Sequence, residues 1–371
     1  MTSSADCNQP AEQDEALLGH LRRLTELDGP TGFEEPVLRH MQEELGGVCE
    51  RVEQDVRGNV YASLAGSSAD APRIMITAHA DEIGFLVTSV LADGFLRFTR
   101  LGRPTEMVLP GQRVRVHTRG GPLEGVIGVK PGHVLAASEA RTVPPVPEQY
   151  IDVGATSQAE AIAWGIEPGT PVTFHGPLTA TAHPQRYFGK AVDNRAGCAC
   201  LVELAQRLRR NRPSAQLEFV VAVEEEIGLR GAEVAARRVQ PDVVIAIDTV
   251  PAGGTPDLRL DELPWQIGAG PLLKVRETKG LSTHGPLRNL FRRVAEEQGI
   301  PYQLIVDTAG ITDATSAQQA SGDVAAMTIG LARRYSHSAA ELFDLRDVVA
   351  IVDLIAHTCG AITSRDQLLR T

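Results

Sequence analysis

An α/β fold with a β-rich insertion is the architecture this sequence predicts, and three observations carry it. Apolar strand-like runs such as Leu217–Val223 and the centre of Asp242–Asp248 alternate with helical periodicity at the spacing of parallel crossovers. Between residues 86 and 180 the texture changes to short β-prone runs separated by Gly and Pro. After His183 the α/β rhythm returns, so the sections on either side of the insertion are expected to form one domain.

Residues 1–16, MTSSADCNQPAEQDEA, lack a basic segment followed by an apolar run and read as a flexible leader, not a signal peptide. From Leu17 to Leu45 apolar residues recur with helical spacing, broken by DGPTG at 28–32, which predicts two helices around a loop. The strand Arg73–Thr77 leads into His79, Asp81 and Glu82, where open α/β sheets carry their chemistry. FLVTSV, FLRFTR, QRVRVHT, GVIGVK and YIDVG are the β runs of the insertion, and GQRVRVHTRG alternates as a half-buried strand does.

Asp193 then opens a helix with Leu201, Leu204 and Leu208 on one face, followed by the strand Leu217–Val223. A helix over Gly231–Val239 precedes a buried strand, Asp242–Asp248, with an acid at its carboxyl end. The resulting organisation is a discontinuous α/β domain, 17–85 and 181–371, with residues 86–180 inserted as a β-rich domain.

Composition removes several classes of function. The 371 residues, 43% hydrophobic and 22% charged, suit a globular protein of more than one domain. A net charge of −11 opposes phosphate backbones and anionic lipids, and 4% aromatic content offers little for base stacking, so neither nucleic acid nor membrane is an expected partner. Apolar segments fall short of the ~20 residues a membrane span needs. The five cysteines are scattered without metal-knuckle spacing, which fits reduced thiols in a cytoplasmic protein. Cys198 and Cys200 lie in an apolar helical stretch and read as buried hydrophobes, not nucleophiles.

The residues with chemical potential recur at strand exits. His79, Glu226 and Asp248 each end or follow an apolar β run, and parallel strands bring such exits together. Asp193 at a helix start and His337 in the late loop RRYSHSAAE complete a set whose imidazole and carboxylate donors suit Zn, Co or Mn. Each has a plainer reading: Asp193 as a helix cap, Asp248 as a turn cap, His337 as a surface histidine.

The run Glu224–Glu226 would be solvated surface in an unpatterned loop, but it follows the apolar VVAV directly. Adjacent buried carboxylates repel unless a cation or a proton intervenes, and such crowding can raise one carboxyl toward neutrality, as a general base requires. Successive residues of an extended segment face opposite ways, so Glu225 and Glu226 can serve different ends, with Glu224 peripheral. Dinucleotide, P-loop, HExxH and nucleophile-elbow signatures are missing from the sequence.

Taken together, GPTGFEEPV, AHADEIGF, GQRVRVHT, GVIGVKPGHV, IDVGATS, GKAVDNRAGC, EEIGLRGA, AIDTV, TDA and RYSHSAAE resemble the M42 aminopeptidases from about Leu24 to Leu354. The resemblance implies a zinc-peptidase-like catalytic domain with a mixed, largely parallel central sheet and an inserted small β-barrel-like domain used in oligomer contacts. It implies two divalent metal ions per subunit, zinc or alternatively cobalt or manganese. His79 and Asp248 would hold one, Glu226 and His337 the other, and Asp193 both. Glu225 would be the general base and Asp81 would orient His79, with a cis peptide at Asp193–Asn194. The implied activity removes N-terminal residues from short peptides or peptide-like small molecules, in a homo-oligomer such as a tetrahedral dodecamer assembled from dimers.

The sequence departs from that pattern at Gly254, Ile311 and Ala339, which bears on the substrate walls more than on the ligand set. Hydrolysis of a specialised dipeptide or N-acyl amino acid amide is therefore an alternative, and a non-catalytic metal-binding oligomer is a second. Glycoside hydrolysis calls for a carboxylate pair flanking a sugar bond, not a two-metal ligand set.

Overall fold

The computed structural model describes residues 12–68, 70–136, 142–278, 280–308 and 310–370, so Cys7 and the first eleven residues of the expected leader lie outside it. Helices α1 (Glu12–Glu26) and α2 (Glu35–Gly46) flank the 28–32 turn and bury Leu17, Leu21, Leu24, Val37, Met41 and Leu45. Residues 12–16, expected in the leader, are helical instead; Asp14 and Glu15 in the first turn suit the positive end of the helix dipole.

Strands β1 (Arg51–Gln54), β2 (Val60–Leu64) and β3 (Arg73–His79) precede the insertion. Next come β4 (Gly84–Val90), β5 (Leu96–Leu101), β6 (Arg113–Thr118), β7 (Gly121–Ile127), β8 (Ile151–Asp152), the short helix α3 (Gln158–Ala163) and β9 (Pro171–Phe174). These six strands close a small barrel in the order β4-β5-β8-β7-β6-β9, which removes their edges. Inward-facing Val114 and Val116 of β6 alternate with more exposed Arg113 and Arg115, and Phe85 packs edge-on against Phe98 and Phe174, each at 5.2 Å.

The chain returns through β10 (Thr179–Ala180) and β11 (Arg186–Gly189) to α4 (Val192–Arg210), β12 (Gln216–Ala222), α5 (Arg230–Val239) and β13 (Val243–Pro251). It ends with β14 (Leu272–Arg276), α6 (Gly285–Gln298), β15 (Gln303–Val306), α7 (Asp313–Ser321), β16 (Ala325–Arg333), β17 (Glu341–Asp344) and α8 (Leu345–Ala361). Strands β10, β11 and β17 make a small sheet of their own.

The main sheet has the order β1-β2-β12-β3-β13-β16-β14-β15. Its centre, β12-β3-β13-β16, is parallel throughout, so four carboxyl ends open on the same side. Strand β13 runs past Asp248 to Pro251, pairing Asp248 with Gly330 and Pro251 with Arg333; the acid expected at the strand end therefore lies inside it. Period-two alternation sends Ile74, Ile76, Val243 and Ile245 into the core under α4 and α8, while Met75, Val244 and Ala246 face α5 and α7. Gly197 lets α4 approach the sheet, since a Cβ there would lie 2.7 Å from the Ala78 Cβ.

Candidate metal centre

His79 is the last residue of β3, and the β3–β13 register pairs Thr77 with Ala246. Two residues further along each strand, the same alternation brings His79 and Asp248 onto one face, with Nε2 and Oδ1 3.8 Å apart. Beyond β12 the chain turns at Glu224, whose φ of 55° is left-handed and whose carboxylate turns away to Arg57 at 2.6 Å. Glu225 and Glu226 are thereby directed into the cleft. Asp193 enters from the start of α4, across a cis peptide to Asn194, whose Nδ2 donates to the Ile247 carbonyl at 2.7 Å. His337, also left-handed with φ 56°, lies in the loop between β16 and β17.

All five expected ligands meet, in two groups that share Asp193: His79, Asp193 and Asp248, and Asp193, Glu226 and His337. His79 Nε2 lies 3.2 Å from Asp193 Oδ1, and His337 Nε2 lies 3.4 Å from Asp193 Oδ2 and 3.5 Å from Glu226 Oε1. Glu225 Oε2 is 4.0 Å from His79 Nε2.

The tautomers make these approaches informative. His79 Nδ1 faces the carbonyl oxygen of Asp81 at 3.1 Å, and His337 Nδ1 faces that of Arg103 at 2.9 Å. A carbonyl only accepts, so both Nδ1 atoms donate, and in a neutral ring each Nε2 presents a lone pair. Those lone pairs point at carboxylate oxygens. Asp193 Oδ1 and Glu226 Oε1 are buried without a hydrogen-bond partner among the described residues. Acceptors converging on acceptors in a buried site require cations between them, so the residues present fit a pair of divalent ions.

Electrostatics gives the same account. Burial raises Glu225 well above the ordinary carboxylate range against the relief from His79, and Asp248 and Glu226 add to the rise. Burial and Asp193 push Glu226 up to about 8 against the attraction of His337. Burial opposes charge on His337, but Asp193 and Glu226 prevail and push it up to about 9. Without metal, protons take the place that cations would fill.

Further residues organise this site, and Arg333 among them carries no separable sequence signal. Asp81 was expected to orient His79, and its carboxylate lies 3.4 Å from Nδ1. It also accepts the backbone N–H groups of Glu225 and Glu226 and the Thr31 hydroxyl. Buried Glu82 binds Lys190 at 2.8 Å, Arg195 at 3.3 Å and the Gly29 N–H at 3.1 Å, tying the 28–32 turn to the strand exit. Arg333, at the end of β16, donates to Asp193 Oδ2, Glu341 Oε1 and Thr249 Oγ1. Asp313, at the start of α7, has both carboxylate oxygens buried and without a hydrogen-bond partner among the described residues, and burial with Asp248 and Asp81 nearby raises it to about 7 against the pull of His79.

A cleft of about 690 Å³ opens over both groups, with walls that include Arg100, Arg103, Leu229, Lys274, Asp307 and Ile311. Ile311, one of the three departures, is 45% exposed on that wall. Gly254 takes a hydrogen bond from Arg334 on its carbonyl, and Ala339 packs against the barrel core. Cys198 and Cys200 are buried in α4, as expected.

The profile of the M42 glutamyl aminopeptidase family matches residues 58–354. The glutamyl aminopeptidase of Lactococcus lactis is 31% identical over 333 residues, covering 89% of this chain and 92% of its own. An aminopeptidase of the archaeon Desulfurococcus kamchatkensis superposes with a TM-score of 0.91 at 34% identity, covering 96% of this chain and 98% of its own. The TET1 peptidase of Pyrococcus horikoshii, which can assemble into a tetrahedron or a large octahedral shell, gives 0.82 at 28% identity over 92% of this chain and 99% of its own. With a family profile spanning most of its length and two candidate metal-binding groups at the carboxyl ends of its parallel strands, this chain belongs to the M42 family of metal-dependent aminopeptidases.

Proposed function

We propose that this protein removes N-terminal residues from short peptides with two divalent ions, zinc or alternatively cobalt or manganese, held in the cleft. His79 and Asp248 would hold one and Glu226 and His337 the other, with Asp193 serving both. The observation that carries this reading is the placement of two imidazole Nε2 atoms, whose rings face carbonyl oxygens through Nδ1, against buried carboxylate oxygens that have no hydrogen-bond partner among the described residues. When bound, the ions supply Lewis-acid polarisation of the scissile carbonyl and acidify the attacking water.

Glu225 accepts the proton of that water and returns it to the leaving amine. Its raised proton affinity, caused first by burial, suits both halves of the task. Asp81 keeps Glu225 in place through the backbone and His79 through the ring. Carboxylates around the cleft attract the free ammonium of a substrate, which makes the reaction an exopeptidase one.

Residues 17–85 and 181–371 form the catalytic domain in this reading, and 86–180 the oligomerisation domain. Met107, Val129, Val134 and Ile162 are exposed within the latter, which suits a homo-oligomer such as the tetrahedral dodecamer built from dimers. Free Cys49, Cys198, Cys200 and Cys359 suit the cytoplasm.

The test is hydrolysis by metal-reconstituted protein of free and N-acylated dipeptides beside longer peptides, with products identified by mass. Stepwise release of N-terminal residues from free peptides alone supports the reading. Cleavage confined to N-acylated substrates would assign the amidase activity instead, and metal uptake without any hydrolysis would assign a binding protein.

A further inference from the structure

Arg333 ends strand β16 beside Pro251 of β13, at the carboxyl-end edge of the sheet where His79 and Asp248 also lie, and its side chain is 2% exposed. Its guanidinium is held on three sides, donating from Nε to Thr249 Oγ1, from Nη1 to Glu341 Oε1 and from Nη2 to Asp193 Oδ2. Glu341 is itself fixed, because it accepts the backbone N–H of Asp193 at 3.0 Å and that of His337 at 2.8 Å. An arginine does not deprotonate in such a setting, so the positive charge is permanent.

The two oxygens of the shared carboxylate are therefore unlike. Oδ1 faces His79 and has no hydrogen-bond donor among the described residues, so its lone pairs are open. Oδ2 faces His337 and already accepts a charged donor. Lys274 also favours the charged form of Asp248 in the other group, but its ammonium is directed to Asp307 at 2.9 Å and Glu277 at 3.3 Å.

We propose that Arg333 is a positioning residue that makes the two metal positions unequal: by binding Asp193 Oδ2 it weakens the Glu226–His337 position, which fills only after the His79–Asp248 position. This rests on the two-metal reading above. The second position then responds to metal supply while the first stays occupied.

The test is zinc titration of metal-stripped full-length protein against a chromophoric chelator. Wild type should take up two equivalents whose Kd values differ by at least about tenfold, and His337→Ala should remove the weaker step while keeping the tighter one. Arg333→Met should tighten the second step about tenfold or more and change the first little, whereas Arg333→Lys, which keeps the charge, should retain most of the separation. Two wild-type steps equal within about threefold overturn the proposal, as does a gap unchanged in folded Arg333→Met. If Arg333→Met does not fold, the wild-type and His337→Ala titrations decide alone. Fewer than two equivalents in wild type at saturating zinc would instead remove the two-metal reading itself.

Discussion

The backbone N–H of Glu225 donates to Asp81 Oδ1 at 3.0 Å, and the next N–H along, that of Glu226, donates to Oδ2 of the same carboxylate at 3.1 Å. One buried side chain at the exit of β3 thus fixes the segment leaving β12, on which the proposed base and a proposed ligand both ride. Asp81→Asn keeps the shape but turns one acceptor into a donor that meets an N–H. The expected result is metal affinity lowered by about 10–100-fold and stability lowered by about 1–3 kcal/mol, read by zinc titration and thermal melting. Wild-type values for both would contradict the clamp.

Replacing the carboxylate that rides on this clamp separates binding from turnover. Glu225→Ala should lower kcat by about 10²–10⁴-fold while elemental analysis finds the metal content of wild type. Wild-type turnover in this variant would exclude Glu225 as the base.

How far the site could be read in advance depended on the reach of each interaction. His79 and Glu226 were legible as candidates because an apolar β run ends in, or is followed by, a residue type able to bind metal, and parallel strands gather such ends. Asp248 was legible for the same reason, although its strand continues to Pro251 through pairing with β16. Arg333 was not. RRYSHSAAE contains two adjacent arginines, and nothing local distinguishes the buried one from Arg334. Of the three partners that hold Arg333, Glu341 lies eight residues on, but Thr249 and Asp193 lie 84 and 140 residues away. The double duty of Asp81 escaped for the same reason, since its bonds to Glu225 and Glu226 span 144 and 145 residues. Periodicity reports which face a residue occupies, not which distant donor it meets there.

Acid–base linkage gives a check away from the proposed ligands. Glu34 is buried, accepts the N–H groups of Gly32 at 2.8 Å and Glu224 at 3.3 Å, and is pushed up to about 7 by burial first and then by Asp81. Its folded pKa exceeds its ordinary value of 4.5, so the contribution to stability is complete below about 4.5 and disappears as pH rises through about 7. Glu34→Gln cannot titrate and can still accept both N–H groups. Its stability relative to wild type should therefore increase by ~1–3 kcal/mol between about pH 5 and about pH 8, measured by denaturant unfolding at matched metal loading. A difference independent of pH would contradict this.

Thiol chemistry should be irrelevant to turnover. Cys198 donates its S–H to the His79 carbonyl, and burial pushes its thiol up to about 11 and that of Cys359 up to about 12. Alkylation of the native protein is expected to leave kcat within about twofold. Loss of activity tracking modification of Cys198 or Cys200 would show that α4 exposes what the fold buries.

The central claim is that Asp193 lies between two neighbouring cations. Anomalous diffraction from zinc-loaded crystals tests it most directly. The account predicts two peaks about 3.5–4 Å apart, one beside His79 and Asp248 and one beside Glu226 and His337. A single peak at saturating zinc, or peaks away from Asp193, would contradict it.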